Sequence, residues 1–186
     1  MDADWAEALD TLYAQAWKRL ERGVADRHAP GRHPTLATVD AAGMPQARTV
    51  VLRAADKESA TLKVYSDRNA DKVDQVLARP HAAIHIWDNV AHLQLRLLCE
   101  VTVQTGQAVR GIWDQLSAHA RACYGFQPFS GTAVPDGVAY EKWPDPDAFA
   151  VLKLQIREME ALHLGRKHRR ARFARNDGWV GQWVVP

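Results

Sequence analysis

At 186 residues, 47% hydrophobic and 25% charged, the chain has the composition of a soluble globular protein with room for one full core. Its net charge is +2, but six of its 24 lysines and arginines lie between His163 and Arg175, so the remainder is net acidic, which argues against a general polyanion coat. No run reaches the ~18 apolar residues of a transmembrane helix, the acidic start MDADWAEALD lacks a signal-peptide pattern, and two cysteines, Cys99 and Cys123, are too few for a disulfide framework, so a reduced, cytoplasmic setting is expected.

Trp5, Leu9, Leu12, Tyr13, Ala16, Trp17 and Leu20 recur at helical spacing and predict an N-terminal helix over 1–24, with Asp2 or Asp4 as cap and Gly23 as stop. Residues 25–34 read as a linker, because Pro30, Gly31 and Pro34 prevent a regular element. From Thr35 the pattern changes to β-branched and aliphatic runs: TLATV, QARTVVLRA, ATLKVY, HAAIHIW and HLQLRLLCEVTV, separated by turn residues. Between the third and fourth runs, NADKVDQVLARP fits a short helix with Val73, Val76 and Leu77 on one face, ended by Pro80. QAVRGIWDQLSAHARACYG predicts a further helix stopping at Gly125, and GFQPFSGTAVPDG and WPDPD read as loop. AVLKLQIRE alternates as a strand, and RRARFAR, an NDG turn and WVGQWVV form a closing hairpin. The reading is α+β, mainly antiparallel β: one domain over 1–186, a barrel of about seven strands with short flanking helices.

His81 and His85 share a face of their predicted strand about 13 Å apart, too far for two ligands of one ion, and no other ligand set stands at metal spacing, so no metal is expected. There is no serine elbow, Walker loop or GxGxxG. In GMPQARTVVLR, Arg48 and Arg53 stand five apart, on opposite faces of an ideal strand; one faces a ligand, or both are solvated on an edge strand. VYSDRNADKV ends a strand at Tyr65-Ser66-Asp67 and starts a helix carrying Lys72, which supplies what a phosphate needs or forms a plain polar turn.

Taken together, these segments resemble the pyridoxamine 5'-phosphate oxidase-like family of FMN-binding split barrels. The resemblance runs through Gly43, Pro45 and Arg48–Arg53, then Tyr65-Ser66-Asp67 with Lys72, Arg79-Pro80, Gln94-Leu95-Arg96, and Arg170, Arg172, Phe173, Trp179, Trp183 and Pro186 at the end. It implies a homodimer with FMN in a groove at the subunit interface. Arg48, Thr49, Val50, Val51, Leu52 and Arg53 would run beside the cofactor. Tyr65, Ser66, Asp67 and Lys72 would surround its phosphate, with Arg48 assisting. Gln94 of the other subunit, and Arg172, would reach the ring.

The chain departs from the family's named oxidase at four places. Its Arg-Lys phosphate pair is Asp71-Lys72, with Arg68 a shifted candidate for the missing charge. Its substrate motif Arg-Leu-His-Asp-Arg is His168-Arg169-Arg170-Ala171-Arg172, a tryptophan is Leu162, and a glycine is Cys99. The expectation is therefore an FMN-dependent oxidoreductase whose substrate is not pyridoxamine phosphate, with His168 and Arg170 as substrate contacts. Two alternatives stay open: a non-catalytic flavin-binding or flavin-sensing protein, and a nucleic-acid-binding barrel using the basic 163–175 strip. The last is disfavoured because the strip alternates as a strand and no basic path continues from it.

Overall fold

The structure, a computed structural model, describes residues 4–186. Asp2, one of two candidate caps, lies outside the described residues. One 3-10 turn at Asp4–Ala6 precedes helix α1 (Leu9–Ala25), which begins at Ala8 without a side-chain cap, so Asp4 does not cap it. The apolar stripe is as predicted: Leu12, Ala16, Trp17 and Leu20 are buried on one face. Gly23 does not stop the helix, which runs on to Ala25. Its missing side chain serves packing instead. The presumed linker forms a 3-10 turn at Pro30–Arg32, and a Cβ on Gly23 would lie 2.5 Å from the Gly31 carbonyl. Gly23→Ala should therefore cost about 1–3 kcal/mol of stability by overpacking, despite alanine's better helix propensity, as a chemical-denaturation midpoint would read directly.

The strands follow in chain order: β1 (Thr35–Val39), β2 (Pro45–Thr49), β3 (Leu52–Asp56) and β4 (Thr61–Asp67), then helix α2 (Asp71–Ala78), β5 (His81–Asp88) and β6 (Leu93–Thr105). Short helices α3 (Arg110–Gln115) and α4 (Ala118–Arg121), a two-residue pair β7 (Phe126–Gln127) and β8 (Glu141–Lys142), and the long β9 (Phe149–Leu164), β10 (His168–Ala174) and β11 (Gly181–Val184) complete the chain. The single helix predicted over 107–125 is thus broken, with Ser117 capping α4 through its hydroxyl.

All pairings are antiparallel. The nine-stranded sheet runs β11-β10-β9-β6-β5-β1-β2, and β9 also pairs with β4, which pairs with β3. The 16-residue β9 can serve three neighbours because β4 takes residues 149–155 and β10 takes 158–164. The sheet closes around Leu36, Leu52, Leu62, Ile84, Leu95 and Leu154, all fully buried, and α1 packs into the same core. A smaller cluster of Val109, Trp113, Tyr124, Phe149 and Val151 fixes α3 and the segment after α4 to the outer side of β9, so its first four residues are buried on both faces.

Candidate functional site

The segment 48–53 is not one strand. Ladder pairing ends at Thr49, resumes at Leu52 and leaves Val50 and Val51 between strands, with the Val50 amide donating to the Pro34 carbonyl at 3.0 Å. The β3–β4 register then passes from Leu52↔Val64 to Ala54↔Lys63, which makes Arg53 the extra residue of a β-bulge. A bulge re-aims its side chain, so ideal-strand parity does not govern where Arg48 and Arg53 point.

Three groups result. In the first, Arg48 shares a face with Leu36 at the barrel's α2 end, donating to Leu36 O at 3.4 Å, Gln46 O at 3.2 Å, Gln75 Oε1 at 3.1 Å and the Thr38 hydroxyl. Lys72, on the first turn of α2, donates to Ser66 Oγ at 3.1 Å, and Ser66 is buried. Burial pulls the Arg48 guanidinium below its ordinary pKa. Burial, and then the charge of Arg48, does the same to the Lys72 amine. Both cations bond only neutral groups, so each is partly desolvated without an ion pair among the described residues. That arrangement suits a bound anion and is otherwise costly.

Asp71 is felt electrostatically by both cations. As the first residue of α2 it is favoured by the helix dipole. Its carboxylate lies against Gly131 (φ +90°), where a Cβ would come within 3.1 Å of Oδ1. Arg68 lines a different cavity, of about 190 Å³, with Asp145 and Asp147. Asp67 is a buried anchor: its carboxylate accepts from Gly125 N at 2.7 Å and Asn69 N at 2.8 Å. It fixes the start of the 125–143 loop beside the cation pair.

The second group lies on the opposite face of β4 from Ser66. The Arg53 guanidinium stands 5.5 Å over the Tyr65 ring. Tyr65 also packs edge-on against Phe149, and burial raises the Tyr65 and Tyr124 phenols above their ordinary pKa.

The third group is on the outer face of the β5–β6–β9–β10 sheet. Gln94 stands in register with Trp87 and Leu162, and Arg170 with Leu162. Glu160, buried, accepts from Arg96 at 2.9 Å and Arg170 at 2.7 Å, and Arg170 also reaches Val185 O at 3.3 Å. Arg170 is thus committed within the fold. Arg172, cross-strand from Glu160, is exposed, as is His168 at the start of β10.

The structure therefore joins Arg48, Ser66 and Lys72, and separates them from Gln94, His168, Arg170 and Arg172. Sequence reasoning missed Thr38 and Gln75, which orient Arg48, and Glu160, which holds Arg170. Gln75 had a signal: it lies three residues after Lys72 on a helix, hence on the same side.

Known proteins share this fold. The family model described as pyridoxamine 5'-phosphate oxidase, FMN-binding domain, matches residues 4–105, which include Arg48, Ser66, Lys72 and Gln94. A pyridoxine/pyridoxamine 5'-phosphate oxidase of Mycolicibacterium gilvum (strain PYR-GCK) is 26% identical over 117 residues, 62% of this chain and 51% of that one, so the chain spans about half the length of this relative. Among solved structures, a pyridoxamine 5'-phosphate oxidase-related, FMN-binding protein from Nostoc punctiforme PCC 73102 superposes with TM-score 0.77 at 26% identity, covering 100% of both chains. PhzG from Burkholderia lata 383, solved with tetrahydrophenazine-1-carboxylic acid, shares the fold: TM-score 0.73, 16% identity, 100% of this chain and 98% of that one. With its mainly antiparallel split barrel and a family model matching residues 4–105, the chain belongs to the FMN-binding pyridoxamine 5'-phosphate oxidase family.

Proposed function

We propose that this chain is an FMN-dependent oxidoreductase that works as a homodimer. The observation carrying the reading is the meeting of Arg48, Ser66 and Lys72, in which neither cation is hydrogen-bonded or ion-paired to a carboxylate among the described residues. FMN, when bound, supplies reversible two-electron transfer. Arg48, Ser66 and Lys72 hold its phosphate, and the unladdered backbone at Val50–Val51, flanked by Thr49, Leu52 and Arg53, offers polar groups along the cofactor. Arg172 contributes a fixed positive charge that raises the electron affinity of the ring it faces.

Distance along the sheet supports the dimer. One row of the sheet runs Thr49, Thr35, His85, Arg96, Glu160, Arg172 by register. Five strand steps at about 4.8 Å put Arg172 about 24 Å from Thr49 along the sheet. One protomer's Thr49 side and Arg172 side therefore do not meet on the same ring, whereas a second copy laid on the outer face brings its Gln94 and Arg172 there. That face carries a shallow apolar cavity of about 400 Å³ lined by Ala37, Val39, Ala83 and Leu98, which suits burial against another protein surface. Among the described residues, no helix is long and apolar enough to cross a membrane. A cytoplasmic setting and one functional domain over 1–186 complete the proposal.

The test is direct. Freshly purified protein should be yellow, with an oxidised-flavin spectrum that survives desalting, and should sediment as a dimer. A colourless protein that takes up no added FMN would end this reading. Bleaching by NAD(P)H in stopped flow separates an oxidoreductase from a flavin sensor.

Binding should also depend on pH. Only the protonated Lys72 amine attracts phosphate, and its pKa is lowered by burial and by Arg48. Affinity should hold through neutral pH and then fall as pH rises, starting below the ordinary lysine range, with FMN binding there accompanied by proton uptake. Without ligand the sign reverses for stability: the folded chain releases this proton more easily than the unfolded one, so the cost of charged Lys72 fades as pH rises. Calorimetry in buffers of different ionisation enthalpy reads the uptake, and Lys72→Arg should shift the fall to higher pH.

A further inference from the structure

Lys63 on β4 and Lys153 on β9 are directly opposed in the antiparallel register. Side chains so placed have Cβ atoms about 5 Å apart, and like charges there repel. Both lysines are half-buried and neither makes a hydrogen bond or ion pair among the described residues, although the Asp56 carboxylate, whose pKa is held low chiefly by Ser59, also feels the Lys63 charge. The two lysines line a cavity of about 380 Å³ with Ala54, Asp56, Ser59, Thr61 and Gln104. Its wall is fixed in place: the Ser59 carbonyl accepts from Gln155 at 2.7 Å and Arg175 at 3.1 Å, and the Asp56 carboxylate is engaged by Ser59 N at 3.2 Å.

This cavity is not the FMN phosphate site. Side chains alternate along a strand, so Lys63 faces away from Ser66 and stands three residues, about 10 Å, from it. Nothing in the proposed oxidoreductase role uses it, and the inference does not depend on that role.

We infer that the Lys63–Lys153 cavity is a second anion site, taking the phosphate group of a small phosphorylated, hydroxyl-bearing molecule. Two ammonium groups presented from adjacent strands match a dianionic phosphate monoester, which removes their mutual repulsion by bridging them. The cavity is far larger than a phosphate ion. The hydroxyls of Ser59 and Thr61 and the Gln104 amide line the remaining space, where they meet the polyol part of an ester better than bare water.

The experiment titrates the full chain with glycerol 2-phosphate and with inorganic phosphate by calorimetry at constant ionic strength. It is run in wild type and in Lys72→Ala, where the flavin phosphate site is weakened. Glycerol 2-phosphate should bind Lys72→Ala as it binds one site of the wild type, and more tightly than inorganic phosphate. Adding Lys63→Gln or Lys153→Gln should weaken that binding about tenfold or more, since each removes one charged hydrogen bond. The same two substitutions should raise the anion-free unfolding temperature, because the like-charge pair is gone, while reducing the rise that glycerol 2-phosphate gives the parent. A merely solvated lysine pair shows neither effect. Loss of all binding in Lys72→Ala alone, or binding indifferent to Lys63 and Lys153, would overturn the site. Equal binding of phosphate and ester would overturn the assignment to an organic ester.

Discussion

Lys72→Ala should weaken FMN binding by about 1–3 kcal/mol, roughly 5- to 150-fold, as measured by flavin fluorescence titration of the apoprotein. Lys72 donates to Ser66 Oγ at 3.1 Å from the first turn of α2, and its amine is already partly stripped of water. Much of the desolvation for a charged hydrogen bond is therefore complete before the ligand arrives, so most of the interaction appears as affinity. Asp71→Asn should act in the opposite direction and tighten binding, because it removes a negative charge that Arg48 and Lys72 both feel. The pair of variants makes the result specific. If affinity is unchanged in Lys72→Ala and in Asp71→Asn, the phosphate is held elsewhere. Arg48→Ala is the less clean experiment, since it also releases Thr38 and Gln75.

Much of the barrel was legible because its strands and helices carry their period in the sequence. Leu93, Leu95 and Leu97 alternate inward on β6, and Leu12, Ala16 and Leu20 form one face of α1. The elements that were misjudged are those decided by contacts between distant segments. Gly23 has the composition of a helix stop, yet the Gly31 backbone lies where its side chain would be. The continuous helix expected over 107–125 is divided because Ser117 offers its hydroxyl to Ala120 N in place of a helical partner. The run TVVLR reads as one strand, and only the registers on its two sides reveal the gap at Val50–Val51 and the bulge at Arg53.

The site divides in the same way. Ser66 and Lys72 were readable because they are six residues apart across a strand-to-helix turn, a local geometry. Arg48 was readable as a candidate, but its direction is set by Thr38 on β1 and Gln75 on α2, and no local pattern announces that pairing. The closing segment shows the limit most sharply. Its charge looked uniform, yet Arg169 pairs with Glu7 and Arg170 with Glu160, while Arg175 bonds the Ser59 carbonyl. Half of this basic strip's lysines and arginines are thus employed in holding the last hairpin to the rest of the fold, while Arg166, Lys167, His168 and Arg172 stay exposed.

Phe173→Ala should lower stability by about 3–5 kcal/mol, which for a chain of this length corresponds to about 6–20 °C in unfolding temperature. Phe173 is 1% exposed and stands next to Arg172 on β10, pointing into the core as Arg172 points out. Its ring meets Tyr13 of α1 at 5.0 Å between centroids, and a Cβ on Gly181 of β11 would lie 2.5 Å from its Cε1. One side chain therefore fastens the N-terminal helix, the last strand and the barrel wall together, and its removal leaves a cavity that three elements must move to fill. The loss should also reach the site, because Arg172 keeps its place on the outer face only while β10 stays seated. In the folded fraction, Phe173→Ala should then alter the bound flavin's reduction potential, while leaving the Lys72-dependent part of FMN affinity intact. Phe173→Leu, which keeps most of the buried area, should recover most of the stability and the wild-type potential. A variant as stable as wild type would show that α1 packs on the barrel without this contact. A destabilised variant with an unshifted potential would show that Arg172 does not face the ring.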